Sequence, residues 1–282
     1  MAWTCSRFQA FSCWHRLAVW CLVACLLNLV GCDKKSSSPV VKESPTPGAP
    51  LITVVDDDRL EVGRQLLRAG KLREADVLFE TVLSQRPDLA RANFYKGLML
   101  QQRKSHSIAL GWYQASLDSN QNFPERSTVP YFMAWSAYHA GNPTQARAHI
   151  DRFLADPEVR PRADANYLSG LLHFDADRLD DAEAEFRAAI ERSEASNDLE
   201  QMQDMTRAWV RHADVLNRLG RDSEALVAIN RAIELDPDLM EAWFRKYTIL
   251  TRLGDEPEAL IARTRWQELR EGPPGNDSSG AE

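Results

Sequence analysis

From Asp56 to near Arg270 the chain repeats itself about every 34 residues, and few folds accommodate such a period. Gly63, Gly97, Ala134, Gly170, Ala213 and Tyr247 stand in register. Twelve residues after each comes an alanine: Ala75, Ala109, Ala146, Ala182, Ala225 and Ala259. Four further on are Phe79, Tyr113, Ile150, Phe186, Ile229 and, out of line, Arg263. Pro87 and Pro237 close units, and successive units are spaced by 34, 37, 36, 43 and 34 residues. Self-similarity on this scale marks a stack of small units, none of which can bury its own apolar face alone.

The pattern has a physical reading. A small residue lets two helices of a hairpin cross closely. The alanine on the second helix is expected opposite it, with the aromatic or Ile one turn further filling the space between hairpins. Gly70, Gly141, Gly220 and Gly254 fall seven residues after the small position, where a stopping helix needs a residue that tolerates positive φ. Asn142-Pro143 reads as an N-cap followed by a first-turn proline, and Asp222 and Asp255 read as N-caps too. The alternation that strands require is missing, so the fold is expected to be all-α.

These residues resemble the tetratricopeptide repeat, in six copies covering about three quarters of the chain. The resemblance implies a right-handed superhelical solenoid of about six helix-turn-helix units over residues 55–271, with the first helix of each unit lining a concave face. The extra residues before the fifth unit, Ser193 to Met205, are expected to lengthen the flanking helices. Trp266 to Arg270 closes the array, and the polar Gly/Pro/Ser-rich stretch 272–282 is expected to be disordered.

The N-terminus is of another kind. Arg7 and Arg16 are the only charges before Asp33, and Leu17 to Val30 is apolar apart from Asn28. That run is short for a membrane span and suits the apolar region of a secretory signal. It ends in Leu29-Val30-Gly31-Cys32, which resembles the lipobox of bacterial lipoproteins. The resemblance implies a signal peptide over 1–31, cleaved before a lipidated Cys32 that anchors the protein to a membrane of the cell envelope. A second match, Leu22-Val23-Ala24-Cys25, is less favoured because the apolar run continues past it. Residues 32–54, with Pro39, Pro45, Pro47 and Pro50, read as a semi-extended tether. All five cysteines lie in the first 32 residues, so no disulfide within the mature chain is expected.

Composition removes several function classes. Losing the leader takes two arginines and no acid, leaving 32 basic and 41 acidic residues, a net charge of −9. Without a long basic block, nucleic-acid binding is not expected. No phosphate-binding loop, nucleophile elbow or His-Glu-x-x-His helix occurs. His106, His139, His149, His173 and His212 include no pair at metal-ligand spacing. Asp180-Asp181 sits at an expected helix start. No enzymatic activity, cofactor, metal or small-molecule substrate is therefore expected.

Function is expected on the concave face, at the second, fifth, ninth, twelfth and thirteenth positions of each unit. Units two to four place Phe94, Leu98, Gln101, Tyr131, Trp135, Tyr138, His139, Tyr167, Leu171 and Phe174 there. The first unit adds Arg64 and Arg68, and the last two add Arg218, Phe244 and Arg252. Aromatic side chains are enriched where a protein buries a partner, although each ring could instead pack between helices. Some relatives hold a peptide's terminal carboxylate with Lys and Asn at the fifth and ninth positions. Here Leu60 and Arg64, Phe94 and Leu98, and Tyr131 and Trp135 occupy them, so that clamp is not expected. The reading is a non-enzymatic, lipid-anchored scaffold that binds a protein partner; a subunit recruiting an envelope enzyme, or a pilus, secretin or outer-membrane assembly factor, is the alternative.

Overall fold

The computed structural model describes residues 54–159, 162–195 and 205–272. Among them are twelve α-helices, one 3-10 turn (Arg126–Thr128) and no strand. They form six hairpins: α1 (Val54–Arg68) with α2 (Leu72–Gln85), α3 (Ala90–Gln102) with α4 (His106–Asp118), and α5 (Val129–His139) with α6 (Pro143–Leu154). The last three are α7 (Ala163–Asp175) with α8 (Leu179–Ala195), α9 (Thr206–Arg218) with α10 (Asp222–Leu235), and α11 (Met240–Leu253) with α12 (Glu256–Glu271). Each second helix packs on the first helix of the next hairpin. The first helices also touch one another, α1 with α3, α3 with α5 and α9 with α11, and no comparable contact joins successive second helices. The first helices therefore form the tighter, inner side of a solenoid.

Within a hairpin, the contact that sets the crossing is glycine against ring. A Cβ added at Gly97 would fall 2.6 Å from the Tyr113 ring, and one at Gly170 would fall 2.6 Å from Phe186; Gly63 meets Phe79 in the same way. The residue sixteen positions on, more than the alanine, lies over the small position, so it packs within its own hairpin as well as between hairpins. Where the small residue is alanine, at Ala134 and Ala213, the residue sixteen on is the slimmer Ile150 or Ile229. All five of these large side chains are fully buried.

The helix stops follow the sequence, with one extension. Gly70, Gly141, Gly220 and Gly254 have φ of 70°, 76°, 77° and 77°. Lys104 (φ 60°) and Asp177 (φ 58°) make the same left-handed turn without glycine. Asn142 Oδ1 accepts from the Gln145 amide at 3.1 Å and Asp255 Oδ1 from the Glu258 amide at 3.4 Å, so both cap their helices. Asp222 does not. Arg221 is the N-cap of α10, while Asp222 accepts from Asn217 Nδ2 at 2.9 Å and pairs with Arg252 at 3.4 Å.

The longer spacing between Gly97 and Ala134 makes a clasp after α4. Gln121 Oε1 accepts from the Ala90 amide at 3.1 Å, Arg126 donates to the Leu117 carbonyl at 3.0 Å, and Glu125 accepts from Arg91 and from the Tyr95 hydroxyl. Free helix ends are satisfied without a repeat of the turn chemistry used elsewhere. On α12, the last described helix, Arg263 is exposed, and so are Leu260 and Ile261.

The apolar core is a string of clusters along the stack. One large cluster runs from α1 into α5, a second joins α5, α6 and α7, and a third joins α9, α10 and α11. Between the last two lies a small one, Leu171, Ala182, Phe186 and Val215, where unit four meets unit five. His212 belongs to the same junction. Among the described residues neither of its ring nitrogens has a hydrogen-bond partner, and Glu183 Oε1 is 4.0 Å away. Burial, against the pull of Glu183, holds its pKa below the ordinary 6.5. The unfolded chain then takes up this proton first, so stability should fall as pH drops below about 6.5 and be insensitive to His212 above it. Thermal unfolding between pH 8 and pH 5, values spanning the ordinary histidine range, checks this: His212→Gln should flatten the acid side of the profile.

The helix α8, at 17 residues, is longer than the other second helices, whereas α9, at 13 residues, is no longer than α3 or α7, so only the helix before the insertion is lengthened among the described residues. Residues 196–204 of that insertion, the signal segment 1–31, Cys32, the tether through residue 53, and 273–282 of the tail lie outside the described residues. No helix among the described residues is long and apolar enough to cross a membrane.

Candidate functional site

The expected inner-face residues divide into three groups. Phe94, Tyr131 and Leu171 are buried (2%, 7% and 9% exposed) and are taken up by packing. Phe94 sits among Tyr95, Tyr113, Phe123 and Phe132, and Tyr131 packs on Phe153. Phe94 and Tyr131, both at the fifth position, are turned to the next hairpin, and Leu171, at the ninth, is taken into the small core with Ala182, Phe186 and Val215. Gln101 is also engaged: its Oε1 accepts from the Tyr113 hydroxyl at 2.6 Å and from Ser136 Oγ at 3.2 Å. Arg64 pairs with Glu61, one turn earlier on its own helix, and Arg68 is exposed at the end of α1.

What remains is continuous. Trp135, Tyr138, Tyr167 and Phe174 are half-buried and share one cluster on α5 and α7, with Leu171 beneath. Trp135 meets Tyr138 edge-on at 6.3 Å, lies 6.4 Å from Tyr167 and stacks on the exposed His139 at 5.6 Å. His139 stacks in turn on His106 at 4.9 Å. Leu98 extends the strip onto α3, packed against the first core cluster.

The polar tips of these rings are already engaged. The Trp135 indole interacts with the Tyr131 oxygen, and the Tyr131 hydroxyl donates to Asp164 Oδ2 at 2.6 Å. Arg162 covers the Tyr131 ring at 4.5 Å and pairs with Asp164 at 2.7 Å. Burial, with the neighbouring carboxylate, raises the Tyr131 pKa. The Tyr138 hydroxyl faces Asp175, and burial first, then that carboxylate, pushes its pKa up to about 12. Tyr167 interacts with Arg211, and Arg218 lies over the Phe174 ring at 4.8 Å. Rings held this way have little rotamer freedom left to lose, and their half-exposed surface suits binding to an apolar or aromatic side chain.

Beyond the aromatic floor, units five and six replace rings by charge. Arg211 pairs with Asp214 at 3.1 Å and Glu241 at 3.3 Å, and Arg245 pairs with Asp214 at 2.8 Å. Arg252 donates to Asn217 Oδ1 at 2.8 Å, and Phe244 packs on Trp266 at 5.1 Å. Sequence reasoning missed the Arg211/Asp214/Glu241/Arg245 network. Its signal was the spacing of opposite charges by three and four residues on α9 and α11. A cleft of about 810 Å³ lies elsewhere, between the clasp and α6, lined by Asp118, Arg126, His149, Arg152 and Glu158 among others. Its charges alternate in sign, so it offers less selective purchase than the aromatic floor. No cluster of three metal-ligating side chains occurs among the described residues.

Stacked helical hairpins around an inner groove define a helical-repeat scaffold. Tetratricopeptide repeat models match residues 60–125, 133–198 and 206–249, together more than half of the sequence, and the chain belongs to the tetratricopeptide repeat family. A search of curated proteins finds no match. Among solved structures, PilW, described as a widely conserved type IV pilus biogenesis factor, superposes with a TM-score of 0.63 at 18% identity, covering 76% of this chain and 93% of that one. PilF of Pseudomonas aeruginosa has a TM-score of 0.63 at 15% identity, covering 77% and 93%. YrrB, a repeat protein described as having an unusual peptide-binding site, has a TM-score of 0.54 at 16% identity, covering 68% and 92%. At these identities the likeness is one of fold.

Proposed function

We propose that this protein is a non-enzymatic scaffold of the bacterial cell envelope, held to a membrane by lipid on Cys32, that docks a segment of a partner protein in its inner groove. The observation that carries the reading is the aromatic floor of Trp135, Tyr138, Tyr167 and Phe174, half-buried side by side, with the polar tips of the first three engaged. Envelope placement rests on the leader and lipobox, and the solved relatives support a scaffold. Recruitment of an envelope enzyme, or assembly of a pilus, secretin or outer-membrane machine, would use the same surface.

Two measurements check it. A photo-crosslinking side chain at His139, exposed beside Trp135, should trap a discrete protein partner, whereas one at Val227, 69% exposed on a second helix, should not. Trp135→Ala and Tyr138→Ala should weaken that capture by about 2 kcal/mol each and leave the melting temperature nearly unchanged. Equal trapping from both sites would sink the groove assignment, and unfolding of both variants would make the rings packing residues. For the anchor, Cys32→Ser should abolish labelling by a fatty-acid probe and release the protein from membranes. Persistent labelling would move the anchor to Cys25.

A further inference from the structure

The six helices that line the inner face carry a different charge from the six behind them. The helices α1, α3, α5, α7, α9 and α11 together hold 11 Arg and Lys against 8 Asp and Glu, a net of +3. The second helices α2, α4, α6, α8, α10 and α12 hold 9 against 18, a net of −9. The whole sequence is acidic, with a net charge of −7, so its charge is sorted between first and second helices; α5 and α7 carry only Asp164 and Asp175, and the positive excess lies on the other first helices. The sorting is strongest beside the aromatic floor, where α9 and α11 carry six basic residues and two acidic ones. Both of those acids, Asp214 and Glu241, are already paired with Arg211 and Arg245. Arg207, exposed on the first turn of α9 and close enough to influence Tyr167, has no carboxylate partner among the described residues. Arg218 has one, Asp177, itself exposed.

Resting on the groove reading above, we infer that the occupant is an acidic segment of the partner protein with interspersed large apolar side chains. Its apolar residues lie on the rings of α5 and α7, and its carboxylates point to Arg207 and Arg218. A positive inner wall within a negative molecule steers such a segment into the groove and away from the outer face, and it disfavours a basic segment by like-charge repulsion. The ring faces supply the apolar contact, while the charges select between segments of equal hydrophobicity.

Fluorescence polarisation with defined peptides on the full chain tests this. The probes are end-blocked peptides of about twelve residues, long enough to span several hairpins when extended: one alternating Leu with Asp, one alternating Leu with Lys, and one of Asp alone. The Leu/Asp peptide should bind at least about tenfold more tightly than the Leu/Lys peptide and weaken as salt is raised. Arg207→Glu combined with Arg218→Glu, both exposed and checked by thermal melting, should erase or reverse the preference. Trp135→Ala should weaken the Leu/Asp peptide without changing the sign of the preference. Equal binding of the Leu/Asp and Leu/Lys peptides, absence of Leu/Asp binding, or binding of poly-Asp as tight as that of Leu/Asp would overturn the inference. If the two Leu peptides bind equally and both depend on Trp135, the groove reading stands and only its acidic occupant falls. If binding is indifferent to Trp135, the groove reading falls with it.

Discussion

Phe186→Ala should cost about 3–5 kcal/mol, the range found when a buried aromatic ring is deleted. Phe186 is fully buried, packs against Gly170 and contacts Tyr167 at 5.8 Å. It also belongs to the small cluster that joins unit four to unit five. In a solenoid each unit depends on its neighbours, so a loss at this junction should uncouple units five and six from the rest. Chemical denaturation should then show a lowered midpoint and a second, earlier transition. A single unchanged transition would mean that the junction is not the weak link that its small core implies.

Gly170→Ala is expected to be the most informative conservative change. Alanine favours a helix over glycine by about 1 kcal/mol, so propensity alone predicts stabilisation. Here the new methyl would fall 2.6 Å from the ring of the fully buried Phe186. Overpacking of this kind costs about 1–3 kcal/mol, which outweighs the propensity gain. The chain supplies its own control, because Ala134 with Ile150 and Ala213 with Ile229 are the pairings that units three and five use. Gly170→Ala with Phe186→Ile should therefore recover much of the loss from Gly170→Ala, giving a coupling energy of about 1–2 kcal/mol in a double-mutant cycle. Additive effects would show that small position and ring are chosen independently.

The repeat, its six units and the all-α class were legible in the residues because each rests on short-range steric rules. A glycine that must reach positive φ, an alanine in a helix crossing and a cap before a proline keep their meaning wherever the hairpin sits. The same rules missed where a side chain could substitute: Lys104 and Asp177 make the left-handed turn without glycine, and Asp222 binds Arg252 instead of capping α10. Legibility was lower for the site. Phe94 and Tyr131 occupy groove positions in the repeat but are buried, whereas Trp135 and Tyr138, three residues apart on one helix, stay half exposed.

A repeat position names the direction in which a side chain leaves its helix, and that much the sequence alone determined, together with the hairpin register. Whether the side chain then meets solvent, a neighbouring ring or a charge depends on how far apart adjacent hairpins stand, which is decided by loops and insertions of unequal length. Only the tertiary structure could therefore bring Trp135, Tyr138, Tyr167 and Phe174 into one floor, engage their polar tips through Tyr131, Asp175 and Arg211, and set the positive wall of α9 and α11 beside them. The contacts of Trp135 with Tyr167, Tyr138 with Asp175 and Tyr167 with Arg211 join residues tens of positions apart, and local propensity carries no information about such distances.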